Sequence, residues 1–143
     1  MGSSLPALQQ ELQNCRNQLS AEEANHGRIK ADIAELEAVR DYLRTARDSI
    51  RDHQRIVRTF VSNEHVHWRG YTHSRRFLNI AEDRLLDRDY KAVLNSIQTT
   101  LDSANTRRAV LRNQLLDSSN ALQWLRQRIN TLSAQVQNWF NWN

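Results

Sequence analysis

Two long runs of apolar residues, each spaced at alternating steps of three and four, meet at Trp68-Arg69-Gly70, and this constrains the chain more than any other feature. Steps of three and four place apolar side chains on one stripe of an α-helix, the stripe that a partner helix covers. Gly70 is the only glycine after residue 27. Glycine tolerates positive φ and so can close a reversal, and an adjacent tryptophan can lay a large ring over two helix ends. The expected fold is all-α: a long antiparallel, coiled-coil-like hairpin with its turn at Trp68 and Gly70. Helix one is expected over about 5–64, the turn over 65–71 and helix two over about 72–140, all in one domain.

With one proline and three glycines in 143 residues, there are too few turn-formers for a many-stranded fold. Hydrophobic residues are only 39% of the chain, which suits an elongated hairpin better than a sphere. At 1.5 Å per residue, each arm would reach roughly 80–100 Å.

Helix one is expected to start near Ser3 or Ser4, since a serine hydroxyl accepts a bond from the free amides of the first turn and Pro6 is tolerated there. Leu5, Leu8, Leu12, Cys15 and Leu19 begin the seam. Its next two positions are Glu22 and His26, followed by Gly27. The seam resumes at Ile29, Ile33 and Leu36, then reads Val39, Leu43, Ala46, Ile50, His53, Val57 and Phe60. The second run reads as displaced around the helix, so a break near 25–27 is expected: a kink, a change of winding or a short loop.

Helix two should open after Gly70 with Thr72 or Ser74 as cap and Phe77, Ile80, Ala81 and Leu85 as its first apolar face. A long seam follows from Tyr90 through Leu94, Ile97, Leu101, Ala104, Arg108, Leu111, Leu115, Ser118, Leu122, Leu125, Ile129, Leu132 and Val136 to Trp139. Folding at the tryptophan pairs Phe60 with Phe77, Leu43 with Leu94, Leu36 with Leu101 and Leu8 with Ile129, within about one turn. Leu86, Val93, Val110 and Leu116 lie off this seam and give helix two a second partial face for a helix from another chain. Trp139 and Trp142 end the chain as candidate docking residues.

Polar residues in the seam suggest a register-setting layer of Glu22, His26 and Arg108, which costs stability and gains specificity. His65, His67 and His73 beside Glu64 could bind zinc in isolation, but no cysteine or ordered histidine pair supports this, and solvated turn residues are the expectation. Arg75-Arg76 and Arg107-Arg108 have acids nearby and read as ion pairs. Cys15 has no second cysteine to pair with and falls in the apolar register, as a small buried hydrophobe.

The formal charge is +4 and the pI about 9.8, yet acids intersperse the arginines, where nucleic-acid binding wants a basic stripe. No glycine-rich phosphate loop, nucleophile elbow or metal-ligand motif occurs. Neither enzymatic activity nor any catalytic residue, cofactor or metal is expected. No apolar run approaches the roughly 18 residues of a membrane span, and Met1 to Ser4 lead into an amphipathic helix without a signal-peptide core. A cytoplasmic location is the expectation.

The Trp68-Arg69-Gly70 turn between two helices resembles the W-x-G helical-hairpin proteins of Gram-positive type VII secretion. The heptad first helix, Ile33 to Glu37 as an I-x-x-L-E stretch, Phe77 after the turn and the long second helix make the chain similar to the YwqH-like partners of LXG-domain polymorphic toxins, over about residues 5 to 120. The resemblance implies a targeting factor or chaperone that binds the toxin's helical LXG domain and promotes its export, sometimes with a second small helical partner. It implies co-export with the toxin through a type VII system. No nucleic acid or membrane insertion is implied. The usual type VII signal, Tyr or Phe four residues before an acid after the hairpin, is missing, since Phe60 and Glu64 precede the turn. That departure favours an adaptor over a self-exported protein. The rival readings are a secreted W-x-G dimeric effector, a basic nucleic-acid-binding coiled coil and a structural homodimer. If Arg108 sets register, Arg108→Leu should change helix pairing and partner choice, measured by cross-linking and co-purification.

Overall fold

The computed structural model describes the backbone of residues 4–64 and 80–142, with side chains at 4–60 and 84–142. The turn residues Trp68 and Gly70 lie outside the described residues. So do His65, His67, His73, Arg75, Arg76, Phe77 and the expected start of helix two. Helix α1 runs Leu5–Glu64, a π-helical segment runs Ile80–Asp89, and helix α2 runs Tyr90–Trp142. No strand occurs among the described residues. The chain is an all-α hairpin of two long helices packed together. It divides into two compact units, one of residues 1–35 with 108–143 and one of residues 36–107.

Ser4 caps α1. Its hydroxyl lies 3.4 Å from the Ala7 amide, and its carbonyl accepts from Leu8 N at 3.0 Å. These bonds satisfy amides that the first turn leaves without intrahelical partners.

The break expected near 25–27 is not an interruption of the helix, because α1 continues through Asn25, His26 and Gly27. The burial pattern gives the reason. The covered positions of α1 step three and four without a slip from Leu5 through Leu8, Leu12, Cys15, Leu19, Glu22, His26, Ile29, Ile33 and Leu36. They continue in the same phase through Arg40, Leu43, Arg47, Ile50, Gln54 and Val57. The expected displacement of the second run is therefore absent. Val39 and Phe60 are 43% and 52% exposed, His53 is exposed, and these residues flank the seam. Arginine can hold a seam position because its aliphatic stem covers apolar surface while the guanidinium reaches outward. The Arg40 and Arg47 side chains are only 17% and 24% exposed, with Nε 3.8 Å from Asp41 Oδ1 and 3.4 Å from Asp48 Oδ1 respectively.

In the unit of residues 1–35 and 108–143, Leu8, Leu12, Cys15 and Leu132 form a buried cluster with Ile129 and Val136 against it. Leu132 is fully buried, and the Cys15 thiol is free and buried as expected. Arg128 Nε donates to Glu11 Oε1 at 3.1 Å, and its Nη2 meets the same oxygen. Leu8 meets the region of Leu132 while Ile29 shares a hollow with Gln114 and Ser118. The order runs opposite on the two helices, so the packing is antiparallel, within a turn of the predicted Leu8–Ile129 pairing.

In the unit of residues 36–107, Gln54 Nε2 donates to the Leu86 carbonyl at 3.1 Å. Leu101 and Ala104 are buried, and Leu94 and Ile97 are half-buried, as the heptad on α2 requires. Leu85 and Leu86 exchange their expected roles, at 38% and 3% exposure. The expected face was counted from Phe77, outside the described residues, and within the π-helical segment Ile80–Asp89 it is Leu86 that is buried.

Gly27 is helical and solvent-exposed, and an added Cβ there would have no atom within 4 Å. Gly27→Ala should therefore raise stability by about 0.5–1 kcal/mol, read from urea melts. Arg40 Nε is buried without a hydrogen-bond partner. Arg40→Leu should raise stability by about 1 kcal/mol in the same assay, because a polar atom held from water is exchanged for an apolar seam residue.

Candidate partner interface

The heptad sorts the exposed apolar residues. With Leu5 and its repeats at a and Leu8 and its repeats at d, Glu11 and Asn25 of α1 are g residues and Glu23 is an e residue. On α2, where Leu122 is a and Ser118 is d, Gln114, Ala121 and Arg128 are g residues and Arg126 is an e residue. Glu11 pairs with Arg128, and Glu23 Oε1 lies 3.7 Å from Arg126 Nη2. Thus g faces g along one flank and e faces e along the other.

In the unit of residues 36–107, Val39 and Phe60 are g residues of α1, Tyr42 and Ile56 are c residues beside them, and Val93 is a g residue of α2. All five keep large exposures, from 43% at Val39 to 74% at Tyr42. They lie on the g flank. Ile50, Leu85, Asp89, Tyr90 and Val93 line an apolar hollow of about 260 Å³ on that flank. The e flank of α1 carries Arg44, Arg51 and Arg58 instead. One flank of this unit is apolar and the other basic.

In the unit of residues 1–35 and 108–143, Val110 and Trp124 occupy c positions of α2 two heptads apart, at 42% and 59% exposure, and Trp142 occupies a g position at 87%. Leu116, 61% exposed, occupies a b position on the other side of the outer face. Trp139 is 37% exposed, with its ring edge-to-face against Phe140, centroids 5.4 Å apart and planes at 85°. This is a favoured arrangement of two aromatic quadrupoles.

Of the interface candidates, Val93, Val110, Leu116, Trp139 and Trp142 are thus open to a partner. Leu86 is not, because it is buried within its own unit. Tyr42, Ile56 and Trp124 are exposed residues that reading the sequence for seams passes over, and Phe60, expected in the seam, is exposed beside it. They stand at c and g positions, and only the register shows that those positions share a flank.

The members of the expected polar layer are placed as follows. Glu22 lines a hollow of about 350 Å³ with Asn25, Ile29, Gln114, Asp117, Ser118 and Ala121. His26 lines one of about 310 Å³ on the e flank with Glu23, Lys30, Ser119, Leu122 and Arg126, and its Nδ1 is buried without a hydrogen-bond partner. Arg108 is half-buried in the α2 seam and lines neither hollow. Of the polar α2 residues that line the hollow with Glu22, Ser118 is the buried one, at 3% exposure.

Among the described residues, no group of three or more His, Cys, Asp or Glu side chains could hold a metal ion, and no helix is long and apolar enough to cross a membrane. Comparison of the chain with protein-family models, with curated proteins and with solved structures gave no match. Fold and site define it as an antiparallel helical hairpin that leaves large apolar side chains exposed beside its seam.

The two exposure classes should separate in stability. Leu86→Ala should cost about 2–5 kcal/mol, as a large-to-small change in a packed site. Val93→Ala should stay within about 0.5 kcal/mol, with both read from thermal melts followed by circular dichroism.

Proposed function

We propose that this protein is a non-enzymatic helical adaptor: a targeting chaperone that binds the helical LXG domain of a type VII-secreted toxin and promotes its export. The observation that carries the reading is the set of large apolar side chains left exposed in each unit: Val39, Tyr42, Ile56, Phe60 and Val93 in one, and Val110, Trp124 and Trp142 in the other. A two-helix hairpin covers only one stripe of each helix. A second apolar stripe at heptad spacing suits further helices that complete a bundle. Exposed tryptophan, tyrosine and phenylalanine side chains are also the residue types that dominate interface energetics.

The link to LXG toxins rests on the resemblance set out above, and with it go co-export and the second small helical partner. Adaptor function needs no reaction chemistry. Binding would bury the open flank, and the hydrophobic gain would scale with the area removed from water, about 25 cal/mol per Å² before the costs of association.

Co-expression with the N-terminal LXG domain of a candidate toxin tests the proposal. The two chains should co-purify through size exclusion at a fixed ratio. Val93→Asp and Trp124→Asp should reduce recovery of the complex at least about tenfold, since each places a charge in an apolar contact, while circular dichroism of the isolated variants stays unchanged. Failure of the unaltered chain to retain any LXG domain would exclude the reading.

A further inference from the structure

We infer that the hollow over Ser118 receives a lysine or arginine side chain from the partner helix that docks on the g flank, so that this one cation sets the partner's register. The inference rests on the adaptor reading for the existence of that helix, and on the hollow itself for its chemistry.

Ser118 is the buried polar residue of the hollow, which the buried Ile29 also lines. It is 3% exposed, and its Oγ is held from water without a hydrogen-bond partner. Such an oxygen costs free energy unless a donor reaches it. Two carboxylates line the same hollow, Glu22 from α1 and Asp117 from α2. Neither has an ion-pair partner among the described residues, although the chain is basic overall. Glu22 Oε1 lies 3.4 Å from the amide Nδ2 of Asn25, whose Oδ1 accepts from the Arg28 guanidinium at 2.9 Å. That neighbouring cation therefore bonds to Asn25 and leaves the second Glu22 oxygen available. An acceptor at depth with two acids at the rim is the complement of an ammonium or guanidinium group, which brings several donors and a positive charge. The hollow, about 350 Å³, is larger than either group.

The flanking residues identify the cation's carrier as a helix. Val110, Asp117 and Trp124 occupy the same heptad position in three successive heptads of α2. Val110 and Trp124 are exposed and apolar. A helix lying along this stripe would meet apolar, acidic and apolar residues in turn. Its complement presents a basic residue with an apolar one a heptad before and another a heptad after. Shifting such a helix by one heptad would set its cation against Val110 or Trp124 and leave Ser118 Oγ unpaired, so the hollow discriminates register as well as charge.

The test uses the full chain and two synthetic helical peptides of three heptads, apolar at the first and third contact positions and carrying arginine or glutamine at the middle one. Arginine amide serves as a free-cation control. Amide chemical shifts of isotope-labelled protein report binding. The arginine peptide should bind at least about tenfold more tightly than the glutamine peptide, from a charge-assisted bond to each carboxylate. Its shift changes should centre on residues 22, 25, 114, 117 and 118. The double variant Glu22→Gln/Asp117→Asn, which keeps side-chain size, should remove that preference but still bind the glutamine peptide. Equal binding of the two peptides, or a preference that survives in the double variant, would overturn the inference. So would arginine amide binding as tightly as the arginine peptide, which would make the hollow a site for a free cation. With an LXG domain, unaltered retention by the double variant would overturn the hollow's role while the adaptor reading stands. Loss of retention by the unaltered chain would remove the adaptor reading, while the peptides would still report on the hollow.

Discussion

An uninterrupted three–four stripe on each helix is what the rest of the structure depends on. Two α-helices stay in contact over many turns only if the contacting residues keep returning to the same face, and a heptad does this once the helices wind gently about each other. On α1 the stripe holds its phase from Leu5 to Val57, across Glu22, His26, Arg40, Arg47 and Gln54. Phase matters more here than apolarity. A polar residue in phase can be accommodated by a stem, a neighbouring acid or a hollow, whereas a slip in phase would turn every following leucine away from its partner.

The flanks follow from that pairing. Once a and d residues face each other in antiparallel order, g residues meet along one flank and e residues along the other. Glu11 with Arg128 and Glu23 with Arg126 mark the two flanks in the unit that contains both termini. In the unit of residues 36–107, the chain places aromatic and branched residues beside the g flank and arginines along the e flank. A hairpin built only to be stable would gain from covering or removing the apolar flank. Its retention has a physical meaning if another helix lies there, and a charged e flank would direct that helix to one side only.

Much of this was legible in the residues. The spacing gave the helical class, the antiparallel pairing to within a turn, and the α2 seam from Tyr90 to Val136. The α1 seam beyond Leu36 was harder, because a search for apolar residues prefers Val39, Ala46 and His53 to Arg40, Arg47 and Gln54. The expected and observed seams share Leu43, Ile50 and Val57, and the arginines look like surface residues by composition. What decides between them is whether a long stem packs against its neighbours, which depends on the opposite helix. The helix runs on through residues 25–27, where a break was expected, for a related reason. Glycine lowers helix propensity by about 1 kcal/mol, while packing on both sides of it, at His26 and Ile29, holds the helix continuous.

Leu86 shows the same limit on a smaller scale. Counting apolar residues forward from Phe77 favours its neighbour Leu85, whereas Leu86 is the buried one of the pair. The amino-acid sequence by itself thus determined that the chain is helical, that it pairs with itself in antiparallel order, and that more apolar side chains exist than one seam can hold, because all three follow from residue spacing. Only the tertiary structure decided which of those side chains share a flank and which oxygen beneath them lacks a donor. Both depend on the rotation of one helix against the other, which no single helix encodes.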